Sequence, residues 1–280
     1  MASSQMATVE INGVEIPYWT HPAKQRNDDK PSVLLAHSLF FDHTMFDQLV
    51  ALLNEAGYQA ITFDQPGQAG SGDATPDQLA LDVVAAITAR LIGHLDIGPI
   101  HFVGNSQGGM VGARLAARRP ELLRSLVALG ASIETEYKVA EYAPLAEHLK
   151  QFGGKHRVNE ILAIMFGEDS LARGGSLIDT WSRHISMLPP RIGLATEGVI
   201  YRGSVAEELE LKRELGGLAV PVLAIAGEQD IAYPPKISGM NFAQATGGRT
   251  AVIPGAGHSV ALERPDEVFK VMIEHFEQST

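Results

Sequence analysis

The sequence predicts an α/β protein: a doubly wound, mostly parallel sheet with helices on its faces and a helical segment inserted into it. Three observations lead there. Short continuous apolar runs recur along the chain, as expected of strands buried on both faces. Stretches with apolar residues at helical spacing separate them. The alternation stops near residue 132 and resumes near residue 217.

Each element has a local reason. Val9 to Ile16 alternates apolar and polar residues about Asn12-Gly13, a strong hairpin signal because both turn residues tolerate positive φ. Lys24 to Pro31 is charged and ends in proline, so it is a loop. Ser32 to Ala36 is a buried strand. Met45, Leu49, Leu52 and Leu53 mark a helix, with Gly57 placed to end it. Gln59 to Phe63 is the next strand. Thr75-Pro-Asp-Gln78 opens a helix with capping-box spacing, and Leu79, Val83, Ile87 and Leu91 give it one buried stripe. Ile100 to Val103 is a strand, Gln107 to Arg119 a helix stopped by Pro120, and Leu122 to Leu129 a strand.

Residues 133–216 are richer in charge, glycine and helical patterns. Leu177, Trp181, Ile185 and Leu188 share one helical face, ended by Pro189-Pro190. Strands return at Val220 to Ala226 and Arg249 to Ile253, and Pro265 to Phe276 closes the chain as a helix. The expected organisation is a sheet core over 1–132 and 217–280, with 133–216 as a helical cap inserted into it.

Composition excludes several function classes. The chain has 280 residues, no cysteine, and 22 basic against 33 acidic side chains, for a net charge of −11. Without cysteine it is no disulfide scaffold, zinc-thiolate or iron–sulfur protein, nor a cysteine-nucleophile enzyme. The acidic balance argues against a nucleic-acid partner. No apolar run reaches the ~18 residues of a membrane span. The N-terminus lacks the basic and apolar regions of a signal peptide. A cytoplasmic protein with no membrane partner is expected. His21, His43, His94, His101, His148 and His156 show no metal-ligand spacing, so no metal is expected.

The chemistry concentrates in Gly104-Asn105-Ser106-Gln107-Gly108, a G-x-S-x-G at the end of a predicted strand and the start of a predicted helix. In that setting glycines admit a sharp turn, and Ser106 stands proud of the sheet. An inert Gly-rich turn is the blander alternative. Serine needs a base and an orienting acid. Asp230 and His258 each follow a later strand, in the order acid then histidine, which suits both roles. Glu228 and Glu134 are rival acids. A surface loop histidine and a solvated loop acid are the competing explanations. Activity should rise with pH as His258 loses its proton. The backbone N–H groups of Gln107 and Leu39 are the candidate oxyanion donors. His37 is better explained as a satisfied core histidine than as a proton-transfer group.

These motifs resemble the α/β-hydrolase family, and within it 3-oxoadipate enol-lactonase-like serine hydrolases. The likeness runs from about Gly13 to Phe276. It is carried by His37-Ser-Leu, Phe63-Asp64…Gly67, the segment Gly104 to Gly112, Met165-Phe-Gly167, Gly227-Glu-Gln-Asp230 and Ile253-Pro-Gly-Ala-Gly-His258. The resemblance implies the α/β-hydrolase fold, a Ser–His–Asp hydrolase, a helical cap and no cofactor. Two departures stand out. Pro66, Gln68 and Ala69 stand where those lactonases carry Arg, His and Gly. Asn105 stands where they carry Leu or Ile, and is similar to the C–C bond hydrolases of ring-fission products. Ser106 argues against the relatives that use an Asp nucleophile, the haloalkane dehalogenases and epoxide hydrolases.

The leading expectation is an enzyme acting on a small or medium carboxylic ester or lactone through an acyl-enzyme. The rivals are C–C bond hydrolysis on the same machinery and a ligand-binding homologue with little turnover. Candidate pocket residues are Phe40, Met165, Phe166, Trp181, Met187 and Val260, with packing inside the cap as the competing explanation. Arg183 and His184 are weaker candidates for meeting a carboxylate. The sequence leaves the oligomeric state open, a homo-oligomer included.

Overall fold

The computed structural model describes residues 4–25 and 29–279. The readings of the extreme N-terminus and of the Lys24–Pro31 loop fall partly on residues 1–3 and 26–28, which lie outside the described residues.

β1 (Gln5–Ile11) and β2 (Val14–His21) form the predicted hairpin, paired antiparallel with Ile11 opposite Val14. Asn12 and Gly13 take φ of 54° and 77°, as a two-residue primed turn requires. Next come β3 (Val33–Ala36), α1 (Asp47–Glu55), β4 (Ala60–Phe63), α2 (Pro76–Leu79), α3 (Leu81–Leu95), β5 (Ile100–Asn105), α4 (Gln107–Arg118) and β6 (Leu123–Leu129). Helices then fill the insertion: α5 (Val139–Phe152), α6 (Val158–Met165), α7 (Glu168–Arg173), α8 (Ser176–Ser186), α9 (Ile192–Ile200) and α10 (Val205–Leu215). β7 (Val222–Gly227), α11 (Phe242–Thr246), β8 (Arg249–Ile253), α12 (Val260–Glu263) and α13 (Pro265–Glu277) complete the chain.

The eight strands form one sheet in the order β1-β2-β4-β3-β5-β6-β7-β8. β3 to β8 pair in parallel, and β2 joins β4 antiparallel. From β3 the chain steps one way to β4, then crosses back over β3 to β5. Right-handed crossovers therefore put α1 on one face and α3 on the other. The steps β5–β6 and β7–β8 run the same way as β4–β5, so α4 and α11 join α3. Accordingly α1 packs on α13, while α3, α4, α10 and α11 form a contiguous row. Every residue of β3, β4, β5 and β7 is buried, which explains why their sequences are mostly apolar. The reversal of strand order falls between β3 and β5, and open α/β sheets leave a crevice at that point.

One expected helix is two. Thr75 and Gln78 form the capping box, but Ala80 turns to ψ 131° and ends α2 after one turn. α3 restarts at Leu81, which shifts its buried stripe to Leu81, Val84, Ile87 and Leu91 and leaves Val83 half-buried. A contact outside the local sequence accompanies the break: α2 packs against α9, where a Cβ at Gly198 would lie 2.7 Å from the Leu79 carbonyl oxygen. No helix among the described residues is long and apolar enough to cross a membrane.

Candidate active site

Ser106 follows the last residue of β5 and caps α4 at φ 53° and ψ −114°, a conformation rare for a residue with a side chain. The turn survives because glycines stand two residues away on either side, at 104 and 108. A Cβ on Gly104 would lie 2.2 Å from the Gly108 carbonyl carbon, and one on Gly108 would lie 2.1 Å from the Ala36 carbonyl oxygen. The motif thus packs the elbow against itself and against β3. The Ser106 amide donates to the Leu129 carbonyl across 2.7 Å, tying the turn to the end of β6.

Asp230 and His258 arrive from the ends of β7 and β8. His258 Nε2 lies 2.7 Å from Ser106 Oγ, and His258 Nδ1 lies 2.8 Å from Asp230 Oδ2. A carboxylate only accepts, so Nδ1 carries the proton and Nε2 accepts from the serine hydroxyl. The other carboxylate oxygen of Asp230 accepts from the amides of Ala232 and Tyr233 at 2.8 and 2.9 Å, fixing its orientation. All three side chains are buried. The rival acids lie elsewhere. Glu228 accepts from the Gly255 amide, and Glu134 from Asn241 Nδ2 and Lys212 Nζ.

The loop after β3 faces the elbow. Gln107 is the first residue of α4, so its N–H has no intrahelical acceptor. Neither it nor the Leu39 N–H makes a hydrogen bond among the described residues. Phe40, beside Leu39, sits at φ 72°. His37 braces this loop: Nε2 accepts from the Gln65 amide at 2.8 Å, so Nδ1 donates to the Ser38 carbonyl at 2.8 Å. Burial holds its pKa below the ordinary histidine value, and the ring is a neutral structural part. At the Gln68 departure the side chain amide donates to Gln107 Oε1 across 2.9 Å, linking two segments beside the elbow.

A cavity of about 470 Å³, part of it open to solvent, contains Ser106 and His258. Its apolar wall includes Leu39 and Phe40, with Leu145 from α5, Ile164 and Met165 from α6, and Val199 from α9. Of the predicted pocket residues, Phe40 and Met165 line it; Phe166, Trp181, Met187 and Val260 do not. Phe166 and Trp181 pack edge-on against Phe41, at centroid distances of 5.9 and 4.5 Å. Val260 is fully buried, and Met187, just past the last turn of α8, is 76 % exposed. Arg183 bonds within its own helix, and His184 lies 3.5 Å from Asp42, so neither reaches the cavity. Within the insertion, α10 packs on α4 and α11 in the sheet's helix row.

Four polar side chains of the wall escaped sequence reasoning: Glu136, Tyr142, Thr196 and Tyr233. Glu136 and Tyr233 follow the ends of β6 and β7, so the rule that sites gather at strand ends offered a signal. Tyr142 and Thr196 carried none, and the Thr196 hydroxyl donates within its own helix to the Ile192 carbonyl at 2.8 Å. Among the described residues no group of three or more His, Asp or Glu side chains is arranged to hold a metal ion.

Residues 31–265 match the family model of the alpha/beta hydrolase fold. The chain belongs to that family. It is 30% identical over 227 residues to the protein named "Putative non-heme bromoperoxidase BpoC" of Mycobacterium tuberculosis, covering 79% of this chain and 84% of the relative. It is 24% identical over 250 residues to the "Putative carbamate hydrolase RutD" of Stutzerimonas stutzeri, covering 88% and 92%. The crystal structure of the enol-lactonase from Burkholderia xenovorans superposes with a TM-score of 0.83 at 23% identity, over 97% of this chain and all of the other, a likeness of fold.

Proposed function

We propose that this protein is a serine hydrolase that cleaves a small or medium carboxylic ester or lactone through an acyl-enzyme. The observation that carries the reading is the single imidazole of His258 bridging Ser106 Oγ at 2.7 Å and Asp230 Oδ2 at 2.8 Å. A hydrolase activity is also supported by relatives and structural neighbours named for carbamate hydrolysis and enol-lactone hydrolysis.

In this reading Ser106 Oγ attacks the substrate carbonyl carbon as its proton passes to His258 Nε2. The carbonyl oxygen becomes an oxyanion, met by the N–H groups of Leu39 and Gln107 and by the N-terminus of α4. Asp230 stabilises the imidazolium. Collapse of the intermediate breaks the ester C–O bond, and His258 returns the proton to the leaving alkoxide. With a lactone the alkoxide stays attached to the acyl group. Water, deprotonated by His258, then attacks the acyl carbon, and Ser106 leaves with its proton restored. Of the helices inserted between β6 and β7, α5, α6 and α9 act as the cap and wall the acyl pocket. No cofactor enters any of these steps.

Intact-protein mass spectrometry after fluorophosphonate treatment tests the reading. Wild type should gain one phosphonyl adduct and Ser106→Ala none. A folded wild type that gains no adduct would overturn it.

A further inference from the structure

The cavity around Ser106 is apolar over most of its wall but carries a buried polar corner. Glu136 and Arg202 form an ion pair at 2.8 Å with side chains 1% and 2% exposed. Tyr233 Oη donates to Glu136 Oε2 across 2.6 Å and lies 3.2 Å from Arg202 Nη1. The Lys138 amide occupies Glu136 Oε1 at 2.9 Å. Glu136 and Tyr233 face the cavity, while Arg202 stands outside its lining. The corner therefore presents a carboxylate whose charge is balanced from behind.

Tyr142 differs from these groups. It lines the same cavity, its Oη is buried, and that oxygen has no hydrogen-bond partner among the described residues. Burial, with Glu136 nearby, raises its pKa, so the phenol keeps its proton and is a donor. A buried hydroxyl without a partner is costly, and a ligand acceptor placed there removes the cost.

No Lys or Arg lines the cavity among the described residues. The nearby Lys138 is engaged elsewhere: Nζ donates to the Ile231 carbonyl at 2.9 Å and lies 3.7 Å from Glu141. An anionic substrate tail would lose its water, meet no free cation and face Glu136.

We infer that the acyl pocket selects uncharged substrates carrying a hydrogen-bond acceptor, such as a ketone or ether oxygen, along an otherwise apolar chain, and that Tyr142 Oη donates to it. This rests on the serine hydrolase reading for its turnover but not for its recognition chemistry. Tyr142 is the specificity residue. Glu136, Arg202 and Tyr233 hold the corner in place and supply the bias against anions.

Matched aryl esters of valerate, levulinate and succinate test the inference. They keep nearly the same size while the tail changes from methylene to ketone to carboxylate. In wild type, levulinate should exceed valerate in kcat/KM by about five- to tenfold, the yield of one added hydrogen bond. It should exceed the succinate monoester by about a hundredfold, the cost of a buried unpaired charge. Tyr142→Phe should collapse the levulinate-to-valerate ratio toward one and leave the bias against succinate. The same esters are titrated into Ser106→Ala by calorimetry, which reads recognition without turnover. Equal levulinate and valerate affinity, a preference that survives in Tyr142→Phe, a best ligand that is anionic, or no binding of any ester to Ser106→Ala would overturn the inference. Normal fluorophosphonate labelling alongside any of these leaves the serine hydrolase reading standing. Ranked binding without labelling would do the reverse.

Discussion

Asn105 Nδ2 donates to the backbone carbonyl of His258 across 3.0 Å. The residue before the nucleophile thereby anchors the loop that carries its base, although 153 positions separate them. Gly130, at φ 54°, makes room beside this contact. A Cβ there would lie 2.9 Å from the same carbonyl oxygen and 3.3 Å from Asp230 Oδ2. The site is thus tied together by backbone contacts as well as by its side chains.

Asn105→Leu removes the anchor without adding a charge. The expected result is a roughly tenfold loss of kcat on a simple aryl ester, from looser placement of the imidazole, with a smaller change in KM. Steady-state kinetics checks it, and unchanged kcat would mean that the loop is held without Asn105.

The elbow and the hairpin glycines should respond differently to the same added methyl. At Gly108 a Cβ strikes the Ala36 backbone, while at Gly13 nothing lies within 4 Å of it. Gly108→Ala should fail to fold or lose more than about 3 kcal/mol. Gly13→Ala, which meets only the positive-φ penalty, should lose about 1–2 kcal/mol. Urea unfolding of the two variants side by side makes the comparison.

The Glu136–Arg202 pair should show the asymmetry of a buried ion pair. Arg202→Met strands the Glu136 charge and should cost about 3–5 kcal/mol. Adding Glu136→Gln should recover much of that loss, because the remaining polar group is neutral and keeps Tyr233 as a donor. A double-mutant cycle in denaturant reads the coupling, and additive losses would contradict it.

His101 and His275 set an acid limit on the fold. Burial lowers their pKa values to about 3 and about 4, from an ordinary 6.5. His101 is stacked on Phe276 at 3.9 Å with Nδ1 2.8 Å from Ser125 Oγ, and Nε2 of both rings is buried without a partner. Both rings are neutral in the fold, so the unfolded chain binds the extra protons below about pH 6.5. Their stabilisation is complete above that pH and is lost as pH falls toward about 4 and then 3. The limiting slope is about 1.4 kcal/mol per pH unit for each ring. Thermal melts from neutral to mildly acid pH should show the fall, and His101→Leu should flatten it.

The strand–helix alternation, the hairpin at Asn12-Gly13, the Ser106 elbow and the placing of Asp230 and His258 at strand ends are legible in the chain before it folds. Those features are written in short-range patterns: the period of apolar residues, glycines where a turn crowds, and residues just past an apolar run. Packing of the folded chain set the break at Ala80, the helix carried through Pro144 and the π-helical turn at Lys236–Asn241. It also decided which side chains wall the cavity. Trp181 and Met165 look alike as apolar residues at helical spacing, yet one packs on Phe41 and the other lines the site. The polar corner was the least legible part. Glu136 meets Arg202 across 66 positions and Tyr233 across 97, and no local signal reports contacts at that separation. Propensity and periodicity act over one or two turns of chain. The folding of the whole sheet, with its inserted helices, chooses the partners of a buried charge.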